Sequence, residues 1–282
     1  MEPKIMSAAG NGFALLDGFQ EEWPAEPSAT ARELCRAGSG LQGSILLGPP
    51  RNDGDGRMVL YNADGGRAEI SANGLRCVAK FLFDRGYARS EDLVIETDVG
   101  HRRVHLMRKG DAVEAVRVDL GVPDIVEARF LLEVDDEVIE ATWVNTGNPH
   151  CVIFVEDEQA APVERLGPRI ECHPRFPAGV NVNFAAPRGR VLGLRTWERG
   201  VGESPSCGSG SCAAAVAGIR MGLVVSPVWV ETRGGTLEVE WDRFGSVLVT
   251  GPVQDGLPAT SGEPESPESP GESPSPEPPQ AE

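Results

Sequence analysis

The chain has no pair of cysteines at CxxC spacing, no apolar run near the ~20 residues that cross a bilayer, and too few basic residues to balance its acidic ones. Each shortage excludes something. The six cysteines, at 35, 77, 151, 172, 207 and 212, are scattered. That argues against a zinc ribbon or a small disulfide scaffold and predicts a reducing, cytoplasmic location. The missing apolar run predicts no membrane helix. The opening MEPKIMSAAGNGF has neither the apolar core nor the basic lead of a secretory signal. Lys and Arg number 26 against 43 Asp and Glu, a net charge of -17, which disfavours nucleic acid and anionic membrane as partners. A small zwitterionic substrate stays open.

What is present suffices for a packed core. The 282 residues are 40% hydrophobic and 24% charged, enough for one large domain or two ordinary ones. Part of the charge lies at the end, where residues 262–282, GEPESPESPGESPSPEPPQAE, hold six glutamates and no basic residue. Such a composition cannot bury enough surface to offset ordering, so 261–282 is expected to be a disordered tail.

Before it, strand-like runs alternate with glycine turns. In the first half these are Lys4–Met6, Phe13–Leu16, Ser44–Leu47, Met58–Tyr61, Leu93–Glu96, Arg103–Arg108 and Val113–Val118, with a short helix at Ala29–Arg36 and a longer one at Asn73–Gly86. After GVPD at 121–124 the pattern recurs: strands at Val138–Thr142, Cys151–Val155, Val180–Ala185, Gly193–Trp197, Val228–Glu231, Thr236–Trp241 and Ser246–Val249, a short segment near Val163–Leu166, and a helix after Cys207. The expected architecture is α+β in two similar halves. Residues 1–120 form one half, joined by 250–260, and 121–249 form the other. A ligand site between the two helix starts would follow.

One stretch concentrates the chemistry: Trp197–Ala215, WERGVGESPSCGSGSCAAA. Gly202, Gly208 and Gly210 permit close backbone approach to a ligand. A helix beginning after Cys207 offers N–H groups to a carboxylate, and its dipole favours a thiolate there. A buried structural cysteine is the bland alternative. The i,i+4 pair His101/His105 lies in a strand-like stretch, where that spacing does not face one metal, so no ligand role is assigned. His150 could simply satisfy a loop.

Seven segments in order, GNGF (10–13), YNADG (61–65), ANGLRC (72–77), TGNPHCV (146–152), FPAGVNVNF (176–184), ERGVGESPSCGSGSC (198–212) and GGTLEVEW (234–241) with VTGPV (249–253), resemble the diaminopimelate epimerase family. The resemblance implies two pseudo-symmetric halves, each a mixed sheet wrapped around a central helix. It implies a homodimeric amino-acid epimerase of lysine and cell-wall precursor synthesis, working without pyridoxal phosphate, metal or nucleotide. Two cysteines on opposite faces of the substrate act as acid and base. Carried onto this chain, Cys207 matches the second catalytic cysteine. Asn11, Asn62, Asn148 and Asn181 match substrate-binding asparagines. Asn73-Gly74 and Gly208-Ser209 match backbone donors at two helix starts, and Glu198-Arg199 the pair that reads the far amino-acid end.

The first half departs from the family pattern. Where the family has its first catalytic cysteine stands Ser71, followed by Ala72 in place of glycine; Cys77 matches a later, non-catalytic cysteine. A serine hydroxyl is a poor base unless another group activates it. Gly12 and Gln42 stand where the family has aspartates, and Ser7 where it has histidine. Two other readings therefore remain. One is a one-thiol variant acting as a racemase or dehydratase on another amino acid. The other is a non-catalytic amino-acid-binding relative.

Overall fold

The computed structural model describes residues 1–257; the acidic stretch expected to be a disordered tail lies outside the described residues. The first half contains β1 (Lys4–Ala8), β2 (Asn11–Asp17), α1 (Pro27–Leu34), β3 (Leu41–Gly48), β4 (Gly56–Asn62), β5 (Arg67–Ala68), α2 (Ala72–Asp84), β6 (Asp92–Thr97), β7 (Gly100–Lys109) and β8 (Ala112–Asp119). After β9 (Asp124–Val134) come β10 (Glu137–Asn145), β11 (Pro149–Phe154), α3 (Val163–Glu171), β12 (Asn181–Arg188), β13 (Val191–Glu198), β14 (Gly202–Ser204), α4 (Gly208–Met221), β15 (Val228–Thr232), β16 (Gly235–Glu240), β17 (Leu248–Pro252) and β18 (Gln254–Asp255).

With β9 closing the first series as β18 closes the second, the two match element for element, and so do their pairings. β1–β2 is antiparallel, β2–β3 parallel, β3–β4 antiparallel and β4–β6 parallel. In the second half β10–β11, β11–β12, β12–β13 and β13–β15 follow the same sequence of directions. Parallel neighbours need a crossover; α1 and α2 supply it in one half, α3 and α4 in the other. The halves are joined reciprocally. β8 pairs antiparallel with β17, Val118 opposite Val249. β9 leaves the first half to pair with β10, and β18 leaves the second to pair with β1. This is the α+β fold with two pseudo-symmetric halves that the sequence predicted.

The strands of each half wrap one central helix; α4 is made almost wholly of small and apolar residues, as an enclosed helix should be, whereas α2 also buries Asn73 and Arg76. α2 buries Leu75, Val78, Ala79, Phe81 and Leu82. α4 buries every residue from Gly208 to Ile219, and its glycines and alanines let sheet and helix approach closely. It ends at Gly222, whose φ of 75° closes the helix in the left-handed conformation. Both helices share one core with the inner faces of the strands, while α3 sits over a second cluster around Phe176, Val182 and Phe184.

The short strands β5 and β18 were not expected, and three further elements differ from expectation. The region after GVPD holds an 11-residue strand, β9. Its alternation is broken at Arg129, which has φ 58° and lies in a bulge between the pairs Phe130–Ala141 and Glu127–Trp143. The segment at Val163–Leu166 extends to a 9-residue helix that includes Pro168, a residue that ordinarily argues against a helix. The glycine turn before Cys207 contains the short strand β14. No helix among the described residues is long and apolar enough to cross a membrane.

Candidate active site between two helix starts

The same local device occurs twice. Ser71 (φ -140°, ψ 119°) precedes α2, and its Oγ accepts the Gly74 N–H at 3.0 Å. Cys207 (φ -119°, ψ 111°) precedes α4, and its Sγ accepts the Gly210 N–H at 3.3 Å. Both are extended cap residues whose side chains satisfy the third N–H of the helix. Helix geometry leaves the first two N–H groups without intrahelical acceptors. These belong to Ala72 and Asn73 on α2, and to Gly208 and Ser209 on α4. The sequence reading placed the α2 donors at Asn73-Gly74. Gly74 instead gives its N–H to Ser71, so the donor pair starts one residue earlier, in phase with Gly208-Ser209. The two starts abut: a Cβ on Gly208 would lie 2.7 Å from that of Ala72.

Ser71 and Cys207 line one cavity of about 320 Å³, together with Asn11, Asn62, Asn73, Asn148, Asn181, Glu198, Arg199, Gly208 and Ser209. Of the candidate residues, only Gly74 stands outside this lining. The asparagines do different work. The amides of Asn11 and Asn73 both donate to the carbonyl of Ser206, at 2.5 and 3.2 Å, and so fix the residue ahead of Cys207. The buried Oδ1 of Asn11 has no partner among the described residues. Asn181 is used at both ends, donating to Pro149 O at 2.9 Å and accepting the Arg199 N–H at 3.1 Å. Asn62 makes no side-chain hydrogen bond with another described residue and is open to a ligand.

Asn148 is aimed by His150, which the sequence reading gave only a loop role, and by Asn183 and Thr196, which it passed over. Its Oδ1 accepts from His150 Nε2 at 2.9 Å. His150 Nδ1 meets the Asn183 amide at 3.1 Å, and Asn183 Oδ1 accepts the Thr196 hydroxyl at 3.1 Å. Asn183 can only donate at that end, which leaves Nδ1 bare and puts the proton on Nε2. Burial, and then the charge of Arg199, push His150 down to about 3, so the ring is neutral. The chain Thr196–Asn183–His150 thus holds the Asn148 amide with its NH2 free. The available signal was Asn181-x-Asn183 in a strand, a spacing that puts both on one face.

The electrostatics around Cys207 run against the sequence expectation. The Ser209 hydroxyl and Gly210 N–H do favour a thiolate. Burial, and then the neighbouring charge of Glu198, outweigh them and push the thiol well above its ordinary range. Glu198 itself is raised, chiefly by burial, against the opposing influence of Ser204 and Cys207. The Arg199 guanidinium pairs with another carboxylate of the cavity wall, that of Glu69. Arg199 Nη2 lies 2.7 Å from each carboxylate oxygen of Glu69, and its Nη1 donates to Ala178 O at 3.0 Å.

Two of the three glycines expected to approach a ligand do otherwise. Gly202 packs on Trp197, and a side chain on Gly210 would overlap the Asn183 carboxamide oxygen. Gly12 has no room for a side chain, since a Cβ there would lie 2.7 Å from Gly40 O. Ser7 is buried, and its hydroxyl has no partner among the described residues. His101 and His105 lie on the exposed strand β7, bonded to Asp53 O and Asp92.

The family model for diaminopimelate epimerase matches residues 4–126 and 142–255. A diaminopimelate epimerase of Desulfitobacterium hafniense is 39% identical over 272 residues, covering 90% of this chain and 95% of its own. One from Desulforudis audaxviator is 40% identical over 272 residues, covering 90% and 97%. Among solved structures, a probable proline racemase from Agrobacterium radiobacter K84 superposes with TM-score 0.69 at 17% identity, over 94% of each chain. A phenazine biosynthesis protein of the PhzF family from Bacillus anthracis gives 0.68 at 16%, over 89% of this chain and 95% of its own. The solved structures share the fold. The family model and the relatives near 40% identity cover almost all the described residues, and the chain belongs to the diaminopimelate epimerase family.

Proposed function

We propose that this protein is an isomerase that removes and returns the α-proton of diaminopimelate, with Cys207 and Ser71 as the groups on the two faces of the α-carbon. The observation that carries this reading is the pair of matched caps, Ser71 and Cys207, lining one cavity between two helix starts. The N–H groups of Ala72, Asn73, Gly208 and Ser209 suit the α-carboxylate, whose negative charge grows as the α-proton leaves. A substrate ammonium beside Cys207 favours the thiolate that burial and Glu198 disfavour in the empty site. A homodimer, a cytoplasmic location and a role in lysine and cell-wall precursor supply form part of the same proposal.

The two caps are unequal in strength. Cys207 takes the proton from its own face and can return a solvent proton there. Inversion requires Ser71 to donate from the opposite face, leaving an alkoxide that water must reprotonate. A serine hydroxyl is a far weaker acid than a thiol, so this step is slow. Exchange without inversion should therefore outrun epimerisation. Proton NMR in deuterated water with LL- and meso-diaminopimelate tests this. Solvent deuterium should enter the α-position, stereoisomers should interconvert more slowly, and Cys207→Ala should stop both. Absence of exchange in the wild-type protein would sink the proposal.

A further inference from the structure

Arg76 is the largest fully buried side chain among the described residues, on α2 one turn past Asn73. It lies where α2, α4 and β17 meet. A Cβ on Gly251 of β17 would come within 3.0 Å of its Cζ and Nη1, and the titratable groups that act on it are the thiols of Cys77 on α2 and Cys212 on α4. Burial pushes the guanidinium down to about 10, so it is charged at neutral pH. Burial raises both thiols, Cys77 to about 12, so neither balances that charge. The side chain makes one hydrogen bond, from Nη2 to Asn73 Oδ1; its Nε and Nη1 have no partner among the described residues. A buried cation so poorly matched is costly, and an apolar side chain of similar length would fill the space without that cost. Packing alone does not account for it.

We infer that Arg76 is a positioning residue for Cys207, acting through Asn73 across the two halves. A guanidinium only donates, so the Asn73 oxygen must face Arg76 and its NH2 must point the other way. There the amide donates to the Ser206 carbonyl at 3.2 Å, 133 residues on in the chain. That carbonyl shares a rigid peptide plane with the Cys207 N–H. A reversed Asn73 amide would set its oxygen against the carbonyl and its NH2 against the guanidinium. Arg76 thus fixes which way Asn73 points, and Asn73 with Asn11 fixes the peptide that leads into the sulfur. The inference deepens the proposed function and rests on Cys207 as its thiol.

The test reads two quantities in the full-length protein: α-proton exchange with LL-diaminopimelate, by NMR in deuterated water, and iodoacetamide alkylation of each cysteine, by mass spectrometry. Arg76→Met should lower kcat for exchange by about ten- to a hundred-fold, the cost of a small misplacement, with KM changed by less than about threefold. Cys207 is buried, and it should alkylate about three- to tenfold faster, because a loosened turn admits water and burial is the main brake on its thiolate. Cys151, fully buried in the second cluster, should keep its wild-type rate. Arg76→Lys, which keeps a charged donor, should recover most of both effects. Asn73→Ala should reproduce them, and the double variant with Arg76→Met should be no worse than either single one. Unchanged exchange and alkylation in Arg76→Met overturn the inference. So do faster alkylation of Cys151 beside Cys207, which marks general loosening, and additive losses in the double variant. If Arg76→Met does not fold, Asn73→Ala carries the test: Cys207 must speed up there without Cys151, and an unchanged rate overturns the inference. A wild type without exchange, whose Cys207 still responds to Arg76→Met, supports the inference and overturns the proposed chemistry. A wild type that exchanges, with Arg76→Met unchanged, does the reverse.

Discussion

The two helix starts are copies in backbone and unequal in chemistry. Ser71 and Cys207 have nearly the same φ and ψ, each bonds the N–H three residues on, and each follows a short strand that lies beside the sheet of its own half. Around Cys207 the polar scaffold is dense: Asn11 and Asn73 pin Ser206, the Thr196–Asn183–His150 chain aims Asn148, and the charge of Glu198 acts on the sulfur. In the Ser71 half, positions 7, 12 and 42 hold the uncharged Ser7, Gly12 and Gln42, and Ala72 opens α2. The comparison teaches that holding a reactive group in place and making it reactive are separable. The fold repeats the first twice. A dense polar scaffold is built mainly at one end, and even there burial and Glu198 hold the free thiol protonated.

The most forceful way to break the comparison is to remove each cap in turn. Cys207→Ala should lower α-proton exchange by about 10²–10⁴-fold, the usual contribution of a positioned acid or base. Ser71→Ala should slow inversion strongly yet leave exchange on the Cys207 face within about tenfold of wild type. Equal losses of exchange in the two variants, measured by NMR in deuterated water, would mean that the halves are chemically equivalent. Next in size is Ser71→Cys, which places a thiol at a cap that is already built. Inversion should rise by about 10–10³-fold and approach the exchange rate. No gain would show that the two half-sites differ by more than one atom.

How much of this was legible beforehand follows from what each feature depends on. The two central helices showed because Ser71 and Cys207 each stand before an apolar helical run, a local signal. The strand β9 did not show, because the bulge at Arg129 breaks the alternation by which strands are recognised. Cys207, Asn148 and Arg199 could be placed from motif order. Their partners could not: Glu69 sits 130 residues from Arg199, and the His150–Asn183 contact links two strands. The raised thiol was missed for a similar reason. A helix dipole is implied by sequence, but the burial and the Glu198 carboxyl that oppose it depend on folding.

A smaller effect tests whether the two starts are mechanically coupled. Ala72 and Gly208 occupy equivalent first positions and face each other, with space for one methyl. Gly208→Ala should destabilise the fold by about 1–3 kcal/mol in denaturant unfolding, the usual range for overpacking. Ala72→Gly should relieve most of that in the double variant, giving a coupling of about 0.5–3 kcal/mol. Additive effects would mean that the helix starts adjust independently, and that Ala72 does not explain why glycine is held at 208.

The smallest effect concerns the charge that makes the Cys207 half distinct. Glu198→Gln removes a negative neighbour, so the thiolate is less disfavoured and the Cys207 pKa must move down. The thiolate absorbance of the empty protein should then appear at lower pH than in wild type, and the limb of the exchange profile that belongs to the thiol should move the same way. Stability supplies an independent check with a fixed sign. Burial raises the folded carboxyl of Glu198 above its ordinary value, so the folded state holds that proton more tightly than the unfolded chain does. Its favourable contribution is complete below the ordinary carboxylate range and is lost as pH rises through the raised value. Glu198→Gln should remove that loss and flatten stability against pH in this window. If the thiol titration does not move while the stability profile flattens, Glu198 is buried at the expense of folding without controlling the sulfur. The contrast between the half-sites would then rest on sulfur against oxygen alone.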